Sequence, residues 1–276
     1  MKKVIGYLLA GFMVVTILGC EELLDSIESD ELTTDDIVEG LKKALEVGTD
    51  SASANLSAVN AFYQNPVLKI PLPPEAEQLR ALITNNGLSQ YLDLDKQFEN
   101  VVLSVNRAAE EAAGEAAPIF KTAITDLSVT HAIDILNGQV PANLKSAGAV
   151  FDSTAATGYF KIKTYDPLTN LFAPKINAKL DQDLGLGFSA NQAWITLVTT
   201  YNSAYNTINS NFLTNWVIDT YNLPEGIEAD LGVFCTTRAL DGLFLKVGEE
   251  EVKIRRDPYQ WAVDILQRVF GSVMEE

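Results

Sequence analysis

Apolar residues between Thr33 and Gly271 recur at intervals of three and four, and nowhere alternate for long enough to call for a sheet. That period belongs to amphipathic helices and rules out a strand-built core. Phe98, Val101, Val102, Val105, Ala108, Ala109 and Ala112 make the cleanest stripe. Gly114 and Pro118 interrupt it, and Ile119, Phe120, Ala123, Ile124 and Leu127 resume it. Upstream, Thr33 or Thr34 can cap a helix whose first turn holds Asp35 and Asp36, and its spacing predicts helix as far as Phe62, with Gly48 a weak point. Pro66 to Pro74 should be an extended arm, because proline fixes φ and restricts the residue before it. Pro74-Glu75 then opens a short helix that Asn85-Asn86-Gly87 stops.

Further along, Ser128 can cap a short helix carrying Ile133 and Leu136, closed by Asn137-Gly138. Residues 139–153 read as loop, 154–183 as helix broken near Pro167 and Pro174, and 191–221 as one long helical segment. A long helix is expected from Ile227 to about Arg256, and a last one on Trp261, Ile265, Leu266, Val269 and Phe270. The fold class is therefore all-α: a single irregular bundle of roughly ten helices over residues 33–271, with a tail at 272–276.

The N-terminus is of another kind. Met1-Lys2-Lys3 precedes an apolar run from Val4 to Leu18 and then Gly19-Cys20-Glu21-Glu22. About 15 apolar residues suit a secretory signal and are short for a membrane span. A small residue before Cys is the bacterial pattern for attaching lipid to that Cys, so residues 1–19 are expected to be removed and Cys20 to carry acyl chains such as palmitate. One chain binds a membrane marginally and several bind stably. Residues 20–32 then form an acidic tether. The expected location is the bacterial cell envelope, on the periplasmic or outer-membrane face.

The net charge of −17 becomes more negative once Lys2 and Lys3 leave with the signal. Such a surface argues against nucleic acid as a partner, because that binding runs on Lys and Arg. With Cys20 taken by the anchor, Cys235 has no disulfide partner and reads as a small buried hydrophobe. His131 is the only histidine, which excludes a His-rich zinc site and leaves a surface or helix-end residue. No phosphate-cradling glycine loop and no Gly-x-Ser-x-Gly elbow occurs. No cofactor is implied.

Three polar groupings remain. Glu249, Glu250 and Glu251 precede Lys253 and Arg255, with Glu249–Lys253 and Glu251–Arg255 in the favourable i,i+4 order. This reads mainly as a solvated helix face, with clamps between helices as an alternative. If it met Glu110 and Glu111 across a helix pair, it could hold a divalent ion through oxygen. Asn106 and Arg107 lie among small residues, which suggests a buried clamp with Asp241 as one candidate partner for Arg107. The aromatics from Trp194 to Trp216, interleaved with Asn202, Asn206, Asn209, Asn211 and Asn215, read mainly as core, with sugar, partner or membrane contact as the sharper readings.

Several stretches together carry a family resemblance: Asn65-Pro66-Val67-Leu68-Lys69-Ile70-Pro71-Leu72-Pro73, Asn106-Arg107-Ala108-Ala109-Glu110, Ala116-Ala117-Pro118-Ile119-Phe120 and Ile135-Leu136-Asn137-Gly138. Arg238-Ala239-Leu240-Asp241-Gly242-Leu243-Phe244, Glu249-Glu250-Glu251 with Ile254-Arg255 and Asp257-Pro258, and Val269-Phe270-Gly271 complete the set. In this order they resemble the bacterial domain-of-unknown-function family number 4197, over roughly Leu41 to Gly271. The resemblance implies an exported, mostly helical protein and brings no activity with it. Segments 139–153 and 187–225 look longer than the family's pattern.

The leading functional expectation is a non-enzymatic envelope lipoprotein that binds a hydrophobic small molecule or an envelope protein. The ligand version predicts an internal cavity or an exposed groove. The alternatives are a metal-assisted hydrolase using the clustered Glu residues, which requires them to converge, and a structural component of an envelope assembly. Oligomeric state is left open.

Overall fold

A computed structural model describes residues 32–139 and 151–274. The expected signal, Cys20 and nearly all of the expected acidic tether lie outside the described residues, as do 140–150 and the end of the tail. Thr34–Glu276 form one unit that holds the whole described core. Among the described residues there is no strand, and ten α-helices follow in order: α1 Thr34–Leu56, α2 Pro74–Asn85, α3 Asp95–Ala113, α4 Ala116–Asp126, α5 Ala132–Leu136, α6 Ala155–Leu180, α7 Ala190–Ser210, α8 Trp216–Tyr221, α9 Leu231–Arg256 and α10 Asp264–Gly271.

Helix α9 packs along both α1 and α6. Helix α3 packs against α6 and α9 and in turn supports α7, while α4 and α10 pack on α1. Phe120, Phe160 and Phe244 join α4, α6 and α9, with ring centroids 5.3–5.9 Å apart in tilted and edge-on pairs that favour aromatic contact.

Helix α1 runs straight through Gly48, the expected weak point. A Cβ there would lie 3.1 Å from the Val247 side chain and carbonyl, so glycine is what lets α9 approach. The helix ends at Leu56, earlier than the expected Phe62. The chain turns there because the Phe62 and Tyr63 N–H groups are taken by a carboxylate on α3.

Helix α6 continues through Pro167 and Pro174, where a break was expected. Each proline removes a helical hydrogen bond and costs about 3 kcal/mol in a free helix. Buried Phe160, Thr164, Leu168, Phe172, Ile176 and Leu180 recur every four residues across both prolines, and their packing holds the helix together.

The expected segment 191–221 is two helices, because the Asn211 carboxamide accepts the Leu213 N–H and turns the chain. Its apolar residues do not form one core stripe: Leu197, Tyr201 and Ile208 are buried, while Phe212 and Trp216 face outward. Helix α9 starts at Leu231 rather than Ile227, where the Asp230 side chain caps the Val233 N–H at 3.0 Å. His131, not Ser128, stands at the N-terminus of α5, with its side chain exposed and 3.5 Å from Asp134.

Candidate functional site

Glu251 and Arg255 lie one turn apart on α9, and both are buried. Glu251 accepts from the Ala156 N–H at 2.9 Å, the Thr157 N–H at 2.7 Å and the Thr157 hydroxyl at 2.6 Å. Those are first-turn donors of α6, which have no partner inside their own helix. Arg255 pairs with Glu251 at 2.8 Å and donates to the Leu136 and Ile135 carbonyls at 2.6 and 2.9 Å. Those carbonyls end α5. The anion therefore sits at a helix N-terminus and the cation at a helix C-terminus, the arrangement both macrodipoles favour. Arg255 also stacks 5.3 Å from the Phe270 ring centre, which ties α10 in. The pair expected on a solvated face is thus an interior fastener between three helices.

Asn106 and Glu110 form a second fastener on α3. Asn106 is fully buried; its carboxamide accepts the Ile70 N–H at 2.8 Å and donates to the Ile70 and Val102 carbonyls, each at 2.7 Å. Glu110 accepts the Phe62 and Tyr63 N–H groups at 3.1 and 3.2 Å, and Arg107 at 2.8 Å. Together they hold the arm that follows α1. Arg107 therefore serves Glu110 and does not pair with Asp241. Asp241 instead accepts from Lys161 at 2.7 Å and from the Tyr165 hydroxyl at 3.2 Å, and burial beside this carboxylate pushes the Tyr165 hydroxyl up to about 12.

The other expected site residues stay apart. Glu111 and Glu249 are exposed. Lys246 takes Glu249 and Lys253 takes Glu250, each at 2.6 Å, so the expected Glu249–Lys253 pair is not formed. Among the described residues no three His, Cys, Asp or Glu side chains come together as a metal-holding group, and the Glu110 and Glu251 oxygens are engaged by separate backbone donors. Cys235 is buried within α9, and burial pushes its thiol up to about 12, so it behaves as a small apolar residue.

The structure adds concave features that no linear motif announced. A groove of about 540 Å³ runs between α4, the loop after it, and α6. Ala123, Leu127, Pro167, Leu168 and Leu171 give it an apolar body. On its wall the Tyr159 hydroxyl donates to the Ser128 carbonyl at 2.9 Å, and Lys163 lies 5.7 Å from the Tyr159 ring centre. A second cleft, of about 850 Å³, is acidic, with Glu75, Asp181, Glu228 and Asp230 around Trp194. Asp230 is already a helix cap there, and Asp181 accepts from Asn191. The groove residues come from positions 122–130 and 159–171, and in sequence they look like ordinary members of two amphipathic faces.

The family model described as protein of unknown function (DUF4197) matches residues 31–271. The chain belongs to this family. Both fasteners and the groove lie inside the matched span, and the stretches that carried the resemblance include Asn106 to Glu110, the arm through Ile70, and Glu249 to Arg255. No curated protein and no solved structure matches the chain.

Proposed function

We propose that this DUF4197 chain is an exported lipoprotein, anchored at a bacterial membrane through Cys20, whose helical domain is a non-enzymatic module that binds an apolar or amphiphilic small molecule in the α4–α6 groove. The groove carries the reading. Its volume lies in the range of small-molecule sites, its walls are mostly apolar, and a few polar groups line it. Leu171 is more than half exposed on its rim, an apolar surface that a ligand would remove from water. Lys163, Asp126 and the Tyr159–Thr130 hydroxyls suit a polar head of no net charge. The buried charged residues elsewhere are spent on holding helices, which favours binding over catalysis.

The test is native mass spectrometry of the protein purified gently from cells, beside an Ala123→Trp variant that fills the groove. The expected result is a bound lipid-sized mass on the native chain and none on the variant, with the same helical circular dichroism. Equal occupancy of both proteins, or a bare native chain, would remove the groove from the account. The anchor is tested separately: Cys20→Ser should move the protein out of the membrane fraction.

A further inference from the structure

Leu184 through Ile218 contains no Asp, Glu, Lys, Arg or His, in a chain whose residues are 21% charged and whose net charge is −17. This stretch contains α7 and the turn into α8. At that turn Phe212 is 87% exposed, Leu213 75% and Trp216 51%. Soluble surfaces scatter apolar residues singly, and a cluster at one turn marks a contact surface.

The hydroxyls nearby are already satisfied from within, while the Asn209 and Asn215 carboxamides are exposed. The hydroxyls of Thr196, Thr199, Thr200, Thr207 and Ser210 each donate to a backbone carbonyl three or four residues back in α7. At the turn, Asn211 accepts the Leu213 N–H, and the Trp216 indole N–H donates to the Leu213 carbonyl. These hydroxyls leave water at low cost, because they keep their backbone partners when they do.

We propose that the α7–α8 turn is a membrane-interface wedge: Phe212 and Leu213 enter the acyl boundary and Trp216 sits at headgroup level. A lipid surface is the occupant because the proposal rests on the reading that Cys20 holds the chain at a membrane, and because this 35-residue charge-free stretch, with Asp219 the first acid after it, is where a strongly acidic domain can approach a bilayer with least repulsion. Trp at the headgroup level beside fully apolar residues is the usual interfacial arrangement.

The test uses residues 21–276, which lack lipid and retain the complete unit Thr34–Glu276. Flotation with phosphatidylcholine vesicles is measured, with tryptophan emission as a second readout. The native chain is expected to float and shift its emission to the blue. Phe212→Asn with Leu213→Asn should lower partitioning at least about tenfold, from the apolar area of two side chains. Val67→Asn, at a site as exposed as Leu213 on another turn, should leave it unchanged. Vesicles rich in phosphatidylglycerol should bind less, since the rest of the surface is acidic. A native chain that stays at the bottom of the gradient overturns the wedge, as does a double variant that floats equally well. Dimers without vesicles that the double variant abolishes would assign the turn to a second copy instead. Because this chain carries no lipid, the two readings fail separately: residues 21–276 that sink while the full chain carries acyl groups on Cys20 by mass spectrometry refute the wedge alone, and residues 21–276 that float while the full chain carries no acyl group on Cys20 refute the anchor and leave the wedge standing.

Discussion

Replacing Glu251 and Arg255 together by methionine separates a helix fastener from an ordinary buried ion pair. Arg255→Met alone strands the buried Glu251 carboxylate, and loss of one partner from such a pair costs about 3–5 kcal/mol. Domains of ordinary stability have about 5–15 kcal/mol in total, so the single variant should be close to unfolding. For many buried pairs the double apolar exchange is neutral or stabilising, since both desolvation penalties vanish. Here the exchange would also strand the Ala156 and Thr157 N–H groups, the Thr157 hydroxyl and the Leu136 carbonyl, all buried. At about 2 kcal/mol each the four stranded groups cost about 8 kcal/mol, against at most about 4 returned by the exchange, so the double variant should remain at least about 3 kcal/mol below the native chain. At about 2–4 °C per kcal/mol for this size, its melting temperature should fall by about 6–12 °C. Urea unfolding of residues 21–276 followed by circular dichroism, with both single variants, completes the cycle. A double variant within about 1 kcal/mol of the native chain would refute the fastener, because the helix ends would then not depend on the pair.

Asn106→Ala should lower stability by about 2–4 kcal/mol, because the Ile70 N–H and carbonyl both lose their partner; limited proteolysis should then cut the arm at 57–73 first. Gly40→Ala should cost about 1–3 kcal/mol in urea unfolding, because the new methyl would lie 2.7 Å from Val269 Cβ and push α10 off α1. Lys175 and Lys179 hold the Glu115 carboxyl below the usual range. Its contribution is therefore fully present above the ordinary carboxylate range and is lost as pH falls through the lowered value. Glu115→Gln should shift the urea midpoint slightly at pH 7, by less than about 1 kcal/mol given its exposure, and not at all in strong acid.

Local pattern made most of the helices legible. Asp35 and Asp36 marked the start of α1, Pro74-Glu75 opened α2, and the stripe from Phe98 to Ala112 described the buried face of α3. The only histidine and the absent nucleotide and nucleophile motifs narrowed the chemistry without any coordinates. The breaks were harder to read, because a proline or a glycine states a local cost and says nothing of what offsets it. Pro167 and Pro174 remain helical since Leu168, Phe172 and Ile176 are packed by neighbours distant in sequence.

The polar groupings show the same division more sharply. That Glu251 and Arg255 would meet follows from a four-residue spacing within one helix, and the sequence alone determined it. That both are buried, and that they hold the ends of α5 and α6, depends on residues about a hundred positions away. Arg107 shows the reverse: its partner is Glu110 one turn along, not the distant Asp241. The groove and the exposed turn at Phe212 belong wholly to the tertiary structure. Periodicity says which face of a helix is apolar, but only the packing of one helix against another decides whether that face is filled, hollow or left bare to water.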